Sequence, residues 1–338
     1  MSSPQTPAGK PLKFGYVFSP ADVIDPFNPA QLVAQAQLAE TGLFDFIRFP
    51  ERPLERLLSG ADAGPRTEAF TTASYLATKT QKIGLIAQAS TSYYEPFNLA
   101  RLIASLDHVT HGRAGWDINT GASRDAHGNF SQPHLKAEDH LSRAAEVVGI
   151  LRQLWDSWEG GAFIRNKATG EYVDGAKIHP IHHNGALFRI KGPLNVARSP
   201  QGHAVVAQAV SDQLTADLAV READLIFQPA RAPAELRIEV DTLRDRLKEE
   251  GRQALILADF TPQGDQARII ADRIEALAET AGLDGINLHF GRPDALASYV
   301  ADVVPELQSR GLLARAYAGT TLRDHLGLAE PANRYAAA

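Results

Sequence analysis

The chain has 338 residues, 22% of them charged, and a formal net charge of −6 with neutral histidines. That acidic balance offers no basic face for nucleic-acid phosphates, and the absence of cysteine excludes disulfides, thiolate nucleophiles and Cys-ligated metals. No apolar run is long enough for a bilayer and the polar start MSSPQTPAGK has no signal-peptide core, so a soluble cytoplasmic protein is expected.

Hydrophobic periodicity predicts eight strand-then-helix units in chain order. The first pairs a strand over 12–19 with a helix over 28–42, and the second a strand over 44–50 with a helix over 68–81. A strand over 82–91 leads into a helix over 98–112, and RAGWDINTG (113–121) into a long helix over 137–158. After an inserted segment, strands over 204–210, 224–230, 253–260 and 285–291 alternate with helices over 211–223, 232–251, 265–282 and 293–311. Asn28, Asn98, Ser211 and Asp265 mark helix starts, and Gly42, Gly112, Gly251, Gly282 and Gly311 mark ends. Strands rich in Val, Ile, Leu and Phe without strict alternation belong to a sheet buried on both faces. Eight such units predict an α/β fold, a (β/α)₈ TIM barrel with an insertion (159–203) between strands four and five. The expected organisation is a flexible N-terminus (1–11), one barrel domain (12–330) and a tail (331–338). No G-x-G-x-x-G follows a strand, so an open doubly wound sheet has no support.

Two blocks carry a resemblance. Residues 89–117 read ASTSYYEPFNLARLIASLDHVTHGRAGWD, and residues 154–202 read LWDSWEGGAFIRNKATGEYVDGAKIHPIHHNGALFRIKGPLNVARSPQG. Both resemble the nitrilotriacetate/dibenzothiophene-sulfone monooxygenase group of the bacterial-luciferase superfamily. The resemblance implies oxidation of a small organic, in some members organosulfur, substrate with O₂. The co-substrate it implies is reduced FMN, supplied by a separate flavin reductase. It also implies a homodimer, or a heterodimer with a related subunit, formed through helices flanking strands two to four. One departure is large. The group usually carries a long segment between strand seven and its helix that covers the site, whereas here Pro262, Gln263 and Gly264 pass directly to Asp265.

Carried over residue by residue, the cofactor-contact positions also depart from the group. After strand two the group typically has an Asp; this chain has Phe49, Pro50 and Glu51. Gln88 stands where strand three usually has Thr, and Asp117 where strand four has Asn. A His and a Tyr facing the cofactor are replaced by Ala137 and Leu141; a shifted alignment brings His134 or His140 there instead. The small turn that usually holds the phosphate after strand five reads Val210, Ser211, Asp212. Asp117 and Asn119 are two apart and share one strand face. With Arg48 and Glu51 they either line a polar pocket or point into the helix layer.

Other candidates have plainer readings. His179, His182 and His183 lack the spacing and context of a zinc site and resemble framework of the same group, so no metal is expected. His108 and His111 are expected to interact with the C-terminal carbonyls of their helix. Trp155, Trp158 and Phe163 are expected to anchor the insertion. The functional expectation is a luciferase-like monooxygenase; the alternatives are a non-catalytic partner subunit, or a flavin-free enzyme working with Asp117, Glu51 or Gln88.

Overall fold

The computed structural model describes residues 10–51, 64, 66–120, 129–130, 136–264 and 266–336. Every predicted unit forms. In chain order the elements are β1 (Lys13–Val17), α1 (Pro29–Thr41), β2 (Phe46–Phe49), α2 (Ala69–Ala77), β3 (Gly84–Ser90), α3 (Pro96–Thr110), β4 (Ala114–Asn119) and α4 (Ala137–Asp156). A short hairpin, β5 (His183–Asn184) with β6 (Arg189–Ile190), lies in the insertion. Then come β7 (Val205–Ala209), α5 (Gln213–Glu222), β8 (Leu225–Gln228), α6 (Pro233–Glu249), β9 (Leu255–Phe260), α7 (Ala267–Ala281) and β10 (Gly285–Leu288). The last helical run is α8 (Ala295–Ser298), a π-helical turn at Tyr299–Val303 and α9 (Val304–Ser309), followed by α10 (Leu322–Leu326). The eight long strands close into one barrel in the order β1-β10-β9-β8-β7-β4-β3-β2, all neighbours parallel.

Register and alternation separate the two faces of every strand. The interior carries an apolar cluster of Phe46, Ile86, Val205, Ala207, Leu225, Phe227 and Leu257, closed from below by Leu322 and Leu326 of α10. Glycine is required at one point of this interior: a Cβ on Gly15 would lie 2.4 Å from the Phe46 ring and 2.6 Å from Asn287 Oδ1. The outer strand faces pack against the helices through the larger core, which includes Tyr16, Ile47, Leu85, Trp116 and Ile118.

Several helix boundaries correct the expected caps. α3 starts at Pro96 with Glu95 as N-cap, not at Asn98, because proline suits the first helical position, where its fixed φ is already helical and no N–H needs a partner. It ends with His111 itself in the left-handed region (φ 58°), one residue before Gly112. Asp212 rather than Ser211 caps α5. Gln266 caps α7, and Asp265 lies outside the described residues. Asn28 caps α1 through its side chain as expected. β9 ends at Phe260 and α7 begins at Ala267, so no long covering segment lies between them.

In the insertion, Trp158 Nε1 donates to the Leu194 carbonyl at 2.7 Å and its ring stacks on Phe163. Trp155 Nε1 donates to the Ala100 carbonyl at 3.1 Å, tying α4 to α3. These aromatics are packing anchors. α3 buries Leu99, Ala100, Ile103, Ala104 and Leu106. Its main contacts are with β4, α2 and α4, and Val109 near its end stays exposed.

Candidate active site at the barrel mouth

Along the interior faces of β2, β3, β4, β9 and β10 the residues turn polar toward the C-terminal end, whereas those of β7 and β8 stay apolar. Register places Arg48 beside Ile86 on β3, Gln88 beside Asp117, and Asp259 beside Asn287. Barrel enzymes put their chemistry at this end. Asp117 is fully buried, and its Oδ2 accepts from Arg48 Nε at 2.9 Å, Arg48 Nη2 at 2.8 Å and Gln88 Nε2 at 2.6 Å. Burial lifts the Asp117 pKa above the ordinary carboxylate range, while Arg48 and Gln88 pull it back. Its Oδ1 is buried without a hydrogen-bond partner. The Arg48 guanidinium also lies 4.5 Å from the centroid of Phe227, a cation–π contact.

Gln88 links this pair to the segment after β2. Its Oε1 accepts from the Glu51 N–H at 2.9 Å, and Glu51 Oε1 accepts from the Ala69 N–H at the start of α2, at 2.7 Å. Burial raises the Glu51 pKa, with the bond from Ala69 opposing it. Pro50 is buried, and its carbonyl accepts from Arg66 at 3.5 Å. Asn119 is half-buried one step further up the same face as Asp117, its carbonyl accepting from the Thr91 N–H at 3.0 Å. The structure thus brings Arg48, Pro50, Glu51, Gln88, Asp117 and Asn119 together at the mouth, and the helix-layer alternative for Asp117 falls.

Three residues that sequence reasoning did not single out complete the mouth. Asp259 Oδ1 accepts from Asn287 Nδ2 at 2.8 Å and lies 3.2 Å from His289 Nε2. Burial would raise the Asp259 pKa, but His289, Arg48 and Asn287 outweigh it and hold the carboxylate charged. The available signal was positional: Asp259 and Asn287, like Asp117, interrupt apolar strands near their C-terminal ends at interior positions.

The remaining candidates divide. Leu141 is buried in the outer core, and the Ala137 side chain lies outside the described residues, as does His134. His140 is buried on α4 with Nδ1 2.8 Å from the Ser92 hydroxyl, in the loop that follows β3. Val210, Ser211 and Asp212 form the turn from β7 into α5. Asp212 Oδ1 accepts from the Thr215 N–H at 2.8 Å, and Thr215 Oγ1 accepts from the N–H groups of Ser211 (2.9 Å) and Asp212 (3.0 Å).

The histidines of the insertion make framework contacts. His179 pairs with Glu159 at 2.6 Å and stacks on Tyr335, and His183 meets Glu146 at 3.1 Å. The His182 N–H donates to the Lys191 carbonyl. Among the described residues no group of three His, Asp or Glu side chains is arranged to hold a metal. The His108 ring reaches the Ala197 carbonyl at 3.0 Å, across to the insertion rather than to its own helix end, which corrects that expectation. No helix among the described residues is long and apolar enough to cross a membrane.

The model of the luciferase-like monooxygenase family matches residues 12–295. The chain belongs to that family. Its relatives include N-acetyl-S-(2-succino)cysteine monooxygenase of Bacillus subtilis (strain 168), 32% identical, with 89% of this chain and 90% of that one covered. Nitrilotriacetate monooxygenase component A of Aminobacter aminovorans is also 32% identical, covering 82% and 83% of the two chains. Among solved structures, a long-chain alkane monooxygenase superposes with a TM-score of 0.88 over 94% of this chain and 96% of its own, at 22% identity, which shows the shared fold.

Proposed function

We propose that the protein is a monooxygenase acting at the barrel mouth on a small organic substrate, organosulfur compounds among them, with O₂ and a reduced flavin delivered by a separate reductase. The observation that carries this reading is the layered interior: a sealed apolar floor beneath a ring of Arg48, Gln88, Asp117, Asp259 and Asn287, with His289 at its edge. FMN in the pose the resemblance implies does not fit this chain at its phosphate end. The first turn of α5 is closed by the Asp212 carboxylate, and the N–H groups of Ser211, Asp212 and Thr215 already have acceptors. The flavin is accordingly a weakly held co-substrate.

The test uses purified protein with a flavin reductase, NADH, FMN or riboflavin, ¹⁸O₂ and a panel of thioethers, sulfones and aminopolycarboxylates. One ¹⁸O atom in a product, dependent on this protein, is the expected result. Flavin turnover yielding hydrogen peroxide alone across the panel overturns the reading.

A second reading, a non-catalytic partner subunit, is favoured by the same closed turn and by the short β9–α7 connection. It predicts that the chain gains oxygenase activity only with a co-purifying related subunit. A flavin-free reaction on Asp117, Gln88 or Glu51 would have to break existing contacts, because Asp117 holds Arg48 and Gln88 and Glu51 holds the start of α2. A dimer through the helices flanking β2 to β4 remains part of the proposal. Sedimentation at micromolar concentration showing the 36.6 kDa monomer alone would remove it.

A further inference from the structure

Asp212 does more than cap a helix. Its carboxyl is held below the ordinary range, first by the Thr215 N–H and also by the hydroxyls of Thr215 and Ser211, so it is charged throughout the neutral range. Asp212 is exposed, and with Val210, Ser211 and Gln213 it forms one wall of a cleft of about 260 Å³ between α5 and α6. The Val210 N–H donates to the Phe227 carbonyl at 2.9 Å, so the cleft begins where β7 and β8 leave the barrel mouth. Gln228 lines the same cleft; it is 1% exposed, and its Oε1 is buried with no hydrogen-bond partner.

The cations of this cleft are already matched. Arg231 pairs with Glu239 at 3.0 Å, and Arg246 with Asp217 at 2.7 Å. What remains is a set of acceptors: a carboxylate and a carboxamide oxygen. Such a set recognises hydroxyl groups and repels phosphate. Dinucleotide sites use the same chemistry when an acidic side chain accepts from a ribose hydroxyl, where a phosphorylated ribose calls for arginine.

We infer that this cleft takes the polyhydroxylated chain of a flavin lacking a terminal phosphate, a riboflavin-class ligand, with Asp212 rejecting FMN. The inference rests on the flavin reading above and deepens it. Asp212 and Gln228 accept from hydroxyls of the chain, and the ring lies toward the mouth.

The experiment titrates full-length protein with riboflavin, FMN and lumiflavin, oxidised and anaerobically reduced, by flavin fluorescence and absorbance, with ribitol tested by calorimetry. Wild type should bind riboflavin about tenfold tighter than FMN, a modest fraction of the unscreened repulsion between two such charges. It should also prefer riboflavin to lumiflavin, which lacks the chain. Asp212→Asn should bring FMN to within about threefold of riboflavin, since about 1.4 kcal/mol per tenfold is what the removed charge has to supply. Gln228→Leu leaves the helix cap intact, and should weaken riboflavin while sparing lumiflavin; it decides the matter if Asp212 variants fail to fold. FMN tighter than riboflavin in wild type overturns the inference and leaves the flavin reading standing. Equal affinity for riboflavin and lumiflavin, or ribitol binding as tightly as riboflavin, overturns it as well. No binding of any flavin in either redox state removes the flavin reading itself.

Discussion

Asp117→Asn isolates the electrostatics of the barrel interior, because it removes a charge and keeps the shape. In the wild type one carboxylate oxygen takes Arg48 Nε at 2.9 Å, Arg48 Nη2 at 2.8 Å and Gln88 Nε2 at 2.6 Å. The Arg48 side chain is 8% exposed, so water cannot replace the lost partner. Removing one member of a buried pair costs about 3–5 kcal/mol. Asparagine still offers one acceptor, and Arg48 also feels Asp259, so the expected loss is about 2–3 kcal/mol. The double substitution Arg48→Met with Asp117→Leu removes both charges and their desolvation cost. It should return to within about 1 kcal/mol of wild type. Urea denaturation followed by both far-ultraviolet circular dichroism and tryptophan fluorescence provides the assay, with coincident transitions required before free energies are compared. A single variant within about 0.5 kcal/mol of wild type, or a double variant less stable than the single, would refute the reasoning.

Three further predictions concern the N-terminal end of the barrel. Burial pushes the His325 pKa from 6.5 down to about 4. The folded value lies below the unfolded one, so its contribution is complete above pH 6.5 and lost as pH falls toward 4. Across that window the loss approaches about 3 kcal/mol, which His325→Phe should abolish in thermal melts taken as a function of pH. Asp45 acts in the opposite sense: burial, opposed by Lys13, pushes it up to about 6, so its contribution falls as pH rises from 3.8 to about 6. Asp45→Asn should therefore gain on wild type over that range, and a parallel pH profile would refute the assignment. Arg113 is 2% exposed and donates to the carbonyls of Ala77, Thr80, Ile83 and Thr110. Arg113→Met should cost about 3 kcal/mol or more in urea unfolding, and Arg113→Lys should recover little, because an ammonium cannot span that fork of acceptors.

The barrel was legible because strands buried on both faces read as unbroken apolar runs between caps and glycines. The cap positions were less so: Ser211 and Asp212 are both good N-cap residues, and only the Thr215 contact distinguishes them. At the mouth, Asp117 drew notice through the resemblance, whereas Asp259, Asn287 and His289 looked like isolated polar residues in apolar strands. Which side of a strand faces inward is set by closure of the sheet, a property of eight segments together. The His140 contact to Ser92 depends likewise on how α4 docks, and no local pattern encodes that angle.

α10 has a consequence for the order in which the molecule is completed. Leu322 and Leu326 seal the apolar interior, and Lys13 Nζ donates to the His325 carbonyl 312 residues further along the chain. During synthesis the eight strands emerge before the residues that close them from below. Until those arrive, the apolar ends of Phe46, Ile86, Val205, Leu225 and Leu257 line an open well, and exposed apolar surface of that kind favours aggregation. A chain truncated before residue 322 would keep that well open, so the short helix α10 governs whether the finished barrel exposes its apolar interior.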